Sequence, residues 1–285
     1  MQGHAARLYH QPMTVDAFAE RLEIDGLIVL ADEHFRLAAD ESRLLEADLG
    51  DGRAKNISLA PGGALRGSSA GEAETAGLGA LMARFSAWAR DLIVARAPSY
   101  AAALEPGRTS FRPRAVDDAP VSARKDDRRL HVDAFASQPT GGRRILRVFS
   151  NINPMGESRL WRVGEPFEVY ARRWIRQARR PLPCESWVLE GLGVTRGRRT
   201  PYDAMMLALH DRAKLDLAYQ RDAPRREVAF APGATWIVYT DSTVHAAIAG
   251  RHALEQTFYL PLSAMVAPEA SPARILERLT GRALC

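Results

Sequence analysis

Between Thr75 and Arg96 the apolar residues Leu78, Leu81, Phe85, Trp88 and Leu92 recur at steps of three and four. That period predicts a helix with one face sealed against a core. Upstream, "TVDAFAERLEIDGLIVLADEHF" predicts a short helix capped near Thr14 and an apolar strand over residues 26–30, followed by a second helix over about 40–49. The Gly/Ala/Ser-rich stretch over about 50–75 predicts a long loop with at most one short strand.

The pattern changes in the second half. Strand-like runs occur at "LHVDAF", "RRILRVFSNI", "REVAFA", "ATWIVYT", "VHAAIA" and "HALEQTFYLP", separated by turn signals at Pro232-Gly233, Asp241-Ser242 and Gly250. A helix-rich insertion at about 165–220 interrupts them. Helices gathered before and within a series of short strands predict an α+β protein: a double-stranded β-helix, or jelly roll, with supporting helices. No internal repeat or linker divides the sequence, so residues 1–285 are expected to form one domain, with helix-rich support over 1–100 and the jelly-roll core over 128–262.

At 285 residues and 46% hydrophobic, the chain can bury a substantial core. No apolar run approaches the roughly 20 residues that cross a bilayer, and "MQGHAARLYHQPM" lacks the features of a signal peptide. A cytoplasmic location is therefore expected. The two cysteines, Cys184 and Cys285, are too few and too scattered for a disulfide framework or zinc knuckle. The net charge of +5 comes from arginine, since Lys55, Lys125 and Lys214 are the only lysines. Arginine suits paired recognition of carboxylate and phosphate, although a GC-rich genome raises its count equally well.

Chemistry concentrates at "LHVDAF". Residues two apart in a strand project from one face, so His131 and Asp133 can point inward together while Val132 points away. One imidazole, one carboxylate and a second imidazole make the face used by non-haem iron(II) oxygenases. Of the seven histidines, His4, His10 and His34 lie in the amino-terminal part and His210 in a predicted helix. His245 follows a strand, a Pro-Gly turn, a second strand and an Asp-Ser turn, a path that can return it beside His131. The competing reading is a hydrogen-bonded His-Asp pair in a core strand, with no metal.

The stretch "HVDAF…RRILRVFSNINP…WRVGEPFE…HDRAKLD…FAPGATWIVYTD…VHAA…HALEQTFYLP" resembles the iron(II)/2-oxoglutarate-dependent dioxygenases, and more narrowly the Kdo hydroxylases of Gram-negative bacteria. Those enzymes hydroxylate position 3 of Kdo, the acidic sugar joining lipid A to core oligosaccharide, to give Ko. The likeness covers about residues 128–262, with "RVFSNINP" and "HALEQTF" carrying the narrower assignment. It implies His131, Asp133 and His245 as iron(II) ligands, with 2-oxoglutarate and O2 as cosubstrates.

Many relatives place an arginine ten or eleven residues after the distal histidine, to hold the far carboxylate of 2-oxoglutarate. Here those positions are Glu255 and Gln256. Arg147, which alternation places on one face with Phe149 and Asn151, is the expected replacement, assisted by Asn151 and Gln256; Arg251 is the competitor. An anionic glycolipid such as Kdo-lipid A would meet Arg112, Arg114, Arg128 and Arg129 in "RTSFRPRAVDDAPVSARKDDRR", although Asp117, Asp118, Asp126 and Asp127 dilute that charge.

A second run, Arg172, Arg173, Arg176, Arg179 and Arg180, suits anionic headgroups at the cytoplasmic face of the inner membrane, or else faces solvent. No base-stacking motif favours a nucleic-acid partner. Two other functions stay open at this point: the same chemistry on a nucleobase, amino acid or peptide, and a non-catalytic jelly-roll binding protein.

Overall fold

The computed structural model describes residues 15–46, 49–116, 122–178 and 184–285. In chain order the elements are α1 (Val15–Asp25), β1 (Leu27–Leu30), β2 (Ile57–Leu59), β3 (Leu65–Arg66), α2 (Glu72–Arg96), β4 (Glu105–Arg112), β5 (Arg144–Asn151) and β6 (Arg159–Val163). Then come α3 (Phe167–Trp174), α4 (Glu185–Gly191), α5 (Pro201–Leu215), α6 (Leu217–Asp222), β7 (Arg226–Phe230), β8 (Thr235–Tyr239), β9 (His245–Ala249), β10 (Ala253–Leu260) and α7 (Pro272–Thr280).

The strands form a seven-stranded sheet in the order β1-β8-β5-β10-β4-β2-β3 and a three-stranded sheet in the order β7-β6-β9, with every pairing antiparallel. The faces that meet between the sheets carry Phe149, Trp161, Val163, Phe230, Trp236 and Val238. Phe149 stacks on Trp236 at 5.1 Å, and Trp161 meets both edge-on. Aromatic pairs at these separations add attraction beyond the apolar area they bury.

The other face of the large sheet, with Leu146, Val148, Ile237, Tyr239, Leu254 and Phe258, packs on the apolar stripe of α2 at Leu78, Leu81, Phe85 and Ile93. The small sheet turns Ala246 towards Leu209, Met206 and Tyr170 of the helical insertion. This is the expected jelly roll with helical support and an inserted helical layer. β5, β8 and β10 are covered on both faces, so they read as nearly unbroken apolar runs.

Several expectations need correction. The helix expected over 40–49 is a short 3-10 turn at Ser42–Leu45, and the loop over 50–75 contains two short strands, β2 and β3. The run "LHVDAF" is not a regular strand: His131 makes one isolated antiparallel bridge, to His245, and the chain then leaves the sheet. β4 and β6 went unanticipated, because arginines among their inward residues break the apolar alternation. Arg112 therefore lies at the end of β4 and not in a loop. Thr14, the expected cap of α1, falls outside the described residues, as do Asp117, Asp118, Arg179 and Arg180.

Candidate metal centre

β9 delivers His245 from the small sheet, and the extended segment after Arg129 delivers His131 opposite it. Each backbone N–H donates to the other's carbonyl, at 3.0 and 2.8 Å. Directly opposed residues in such a pair project to the same side. Their rings lie 4.6 Å apart, and Asp133, anchored by its N–H to the Thr240 carbonyl at 2.8 Å, completes the face. One donor atom from each of His131, Asp133 and His245 lies within 4.8 Å of the others.

The fit to a metal ion is specific. His131 Nδ1 donates to the Arg129 carbonyl at 2.7 Å, and His245 Nδ1 to the Thr243 carbonyl at 2.8 Å. Both rings therefore offer the lone pair of Nε2 to the centre. Burial, then the neighbouring His131, pushes the His245 pKa down to about 4, so it stays neutral and able to ligate. Burial alone would raise the Asp133 pKa, but the charge of Arg147 outweighs it and the carboxyl stays ionised. Asp133 Oδ2 lies 3.0 Å from Arg147 Nη2 and makes no well-aligned hydrogen bond, leaving carboxylate capacity for an ion. Two imidazoles and one carboxylate brought together in this way match the facial triad of non-haem iron(II) oxygenases.

Beside the triad lies a cradle of guanidiniums. Arg147 reaches Asp133 with one arm and Glu255 Oε1, at 2.9 Å, with the other. Arg112 grips the other oxygen of Glu255, its Nε donating at 3.0 Å. Asp127, which Arg112 also approaches, is shared with Lys55 and with Lys214 at 3.6 Å. Opposite them, on β6, Arg159 is 2% exposed and forms no ion pair among the described residues. Its Nη1 donates to the Gly250 carbonyl at 3.2 Å, while its Nε has no partner.

Burial, then the charge of Arg112, pulls the Arg159 pKa down to about 9. A guanidinium keeps its proton in proteins, so the imbalance calls for an anion. The backbone is built close here: a Cβ on Gly250, whose φ is +101°, would come within 2.7 Å of the Arg159 Cα. The next inward residue of β6, Trp161, stacks on His245 at 5.0 Å and leaves its buried Nε1 unpaired. Arg159 and Trp161 thus share the inward face of β6, each with a buried donor that has no partner, and Trp161 lies against metal ligand His245.

The sequence-predicted residues divide. Arg147 occupies the expected inward face of β5. Asn151 is buried on that strand, but its amide donates to the Glu157 and Phe230 carbonyls and its oxygen accepts from Asn153 N–H, so it ties down the following loop. Gln256 requires correction. It pairs with Val148 on the helix-facing side of β10 and accepts from Thr109 Oγ1 at 2.6 Å, whereas Glu255 and Thr257 face the site. Arg251 is exposed in the turn between β9 and β10.

Of the four substrate arginines, Arg112 joins the cradle; Arg114 packs beside Gly50, Arg128 pairs with Asp126, and Arg129 donates to the Lys214 carbonyl at 2.6 Å. His210, which the sequence places in a helix, nevertheless lies at the site. α5 crosses the site and sets the His210 ring edge-on to His131 at 5.4 Å, and burial lowers its pKa. A separate cleft of about 670 Å³ between α1, β1, β6 and α7 contains none of the metal-site residues.

A rolled double sheet carrying two imidazoles and a carboxylate at one end, with an anion cradle beside them, defines the class of non-haem iron(II) dioxygenases. The family model for 3-deoxy-D-manno-oct-2-ulosonic acid (Kdo) hydroxylase matches residues 7–283, and the chain belongs to that family.

Two solved structures of the Kdo hydroxylase KdoO, described as a non-haem Fe(II) α-ketoglutarate-dependent dioxygenase, are similar to it. The complex with α-ketoglutarate and Fe(III) has a TM-score of 0.89 at 41% identity, covering 95% of this chain and 91% of that one. The cobalt(II) complex has a TM-score of 0.91 at 40% identity, covering 100% and 96%. No curated protein sequence matches.

Proposed function

We propose that this chain is an iron(II)/2-oxoglutarate-dependent hydroxylase of Kdo, acting at position 3 of Kdo linked to lipid A to give Ko, with O2 as oxidant. The observation that carries this reading is the His131, Asp133 and His245 face beside a cradle with unsatisfied cationic donors. The family match over residues 7–283 supports the sugar.

In this reading His131, Asp133 and His245 hold iron(II), which couples oxidative decarboxylation of 2-oxoglutarate to C–H hydroxylation when bound. Arg159, Arg147 and Arg112 bind the carboxylates of 2-oxoglutarate, and the indole N–H of Trp161 donates to the same ligand. Glu255 holds Arg112 and Arg147 apart so that their free donors face the cavity. The packed rings of Phe149, Trp161 and Trp236 exclude water from the inner end.

The acidic acceptor approaches across the rim that carries Arg114, Arg128 and Arg129, at the surface of the membrane holding it. Among the described residues no helix is long and apolar enough to cross a membrane, so that contact is peripheral in this reading. Mass spectrometry of lipid A-linked Kdo from cells with and without the protein tests the proposal. A gain of one oxygen atom that requires Asp133 is expected; an unchanged sugar overturns it.

A further inference from the structure

The helical insertion carries a feature that neither the core nor the metal centre uses. α4 buries none of its residues, and it and the turn after it expose Trp187 by 58%, Val188 by 56%, Leu192 by 73% and Val194 by 53%. The segment is nevertheless ordered by its own backbone bonds: Leu192 N–H donates to the Val188 carbonyl at 3.0 Å, and Val194 and Thr195 both donate to Leu189. Four large apolar side chains exposed within eight positions are more than scattered surface hydrophobics, and they mark a binding surface.

Its position is informative. Arg196 N–H donates to the Ser137 carbonyl at 2.9 Å, and Arg199 Nη2 to the Ala136 carbonyl at 2.7 Å. The apolar turn is therefore pinned to the loop that leaves metal ligand Asp133, three and four residues on. Its charge is equally directed. Arg196 is exposed, and Arg198 lies 3.2 Å from the centre of the Trp187 ring while pairing with Glu190. Trp and aliphatic tips backed by arginine match the boundary of a bilayer, where indole sits among headgroups and guanidinium pairs with lipid phosphate.

We propose that Trp187, Val188, Leu192 and Val194 insert into an anionic phospholipid surface and dock the enzyme with its metal-site loop facing the membrane. The inference rests on the lipid-linked substrate of the preceding reading, since a sugar anchored in a bilayer reaches the iron only from an enzyme held at that height.

The test uses vesicles of phosphatidylethanolamine and phosphatidylglycerol free of any Kdo lipid. Of the five tryptophans, Trp161, Trp174 and Trp236 are buried and Trp88 is partly buried, so Trp187 reports contact. Wild-type protein should co-sediment, with its emission shifted to the blue and shielded from acrylamide. Trp187→Ser/Leu192→Ser should partition about tenfold less or lower, because each side chain contributes burial free energy worth at least that factor. Its turnover on a water-soluble, deacylated Kdo acceptor should equal wild type.

Equal vesicle binding by variant and wild type, or none by either, overturns the proposal. So does a wild type that dimerises without vesicles through this patch, which would assign the surface to a second copy. Vesicle binding by an enzyme that hydroxylates no Kdo acceptor would sustain the docking surface and remove the substrate assignment.

Discussion

His131 and His245 face one another across a single antiparallel bridge, joined by both of their backbone hydrogen bonds. The bridge fixes the separation of two imidazoles that come from distant parts of the chain, and among the described residues it is the only ladder contact of His131. Backbone pairing thus sets the two-histidine edge of the metal face, and Asp133 closes it from the same extended segment.

Asp133→Ala should abolish turnover of 2-oxoglutarate and weaken iron(II) binding by more than about 100-fold, since even an outer-shell partner of a metal ligand is worth roughly 10- to 100-fold. Metal content after dialysis, read beside circular dichroism, checks this. A folded variant that keeps stoichiometric iron would remove Asp133 from the ligand set.

Arg159→Met should raise the Michaelis constant for 2-oxoglutarate by about 10- to 100-fold, the range expected for losing charge-assisted hydrogen bonds to a carboxylate. The free variant should be at least as stable as wild type, because a buried cation without a counter-ion is removed. Steady-state kinetics and a melting curve measure the two effects. Arg147→Met should show the same kinetic loss with lower stability, as Asp133 and Glu255 both lose a partner.

Gln256→Leu should leave the constants for iron and 2-oxoglutarate unchanged, because its side chain lies on the far face of β10 against Thr109. Loss of that buried hydrogen bond should cost about 1 kcal/mol. A rise in the 2-oxoglutarate constant comparable to that of Arg159→Met would show that the strand register is wrong.

Arg128→Ser/Arg129→Ser should impair use of the lipid-linked acceptor several-fold at low salt and progressively less as salt screens the attraction, with uncoupled 2-oxoglutarate turnover nearly intact. Equal loss of both activities would place the defect in the metal centre. Arg129 also holds the Lys214 carbonyl, so a melting curve must accompany the assay.

The ligands were legible because three residues of fixed chemistry sat in a recoverable order, and the flanking strands β5, β8, β9 and β10 announced themselves by apolar runs. Parity was harder. All eight residues of β10 are buried, so hydrophobicity could not say whether Glu255 or Gln256 faced the site. β4 and β6 were missed for a related reason: Arg112 and Arg159 are polar residues turned inward, and a sequence pattern reads polar as outside. His210 is not legible as a site residue, because helical residues in an insertion carry no sign that the helix folds back across a distant metal site.

The unpaired guanidinium of Arg159 has a consequence for how the protein will behave in the hand. A buried guanidinium without a counter-ion should take any small dicarboxylate it meets: those present during purification, the co-product succinate included, should remain with the protein through dialysis. Preparations freed of them should aggregate sooner and melt earlier, and the first turnover measured on untreated enzyme should lag while the occupant leaves.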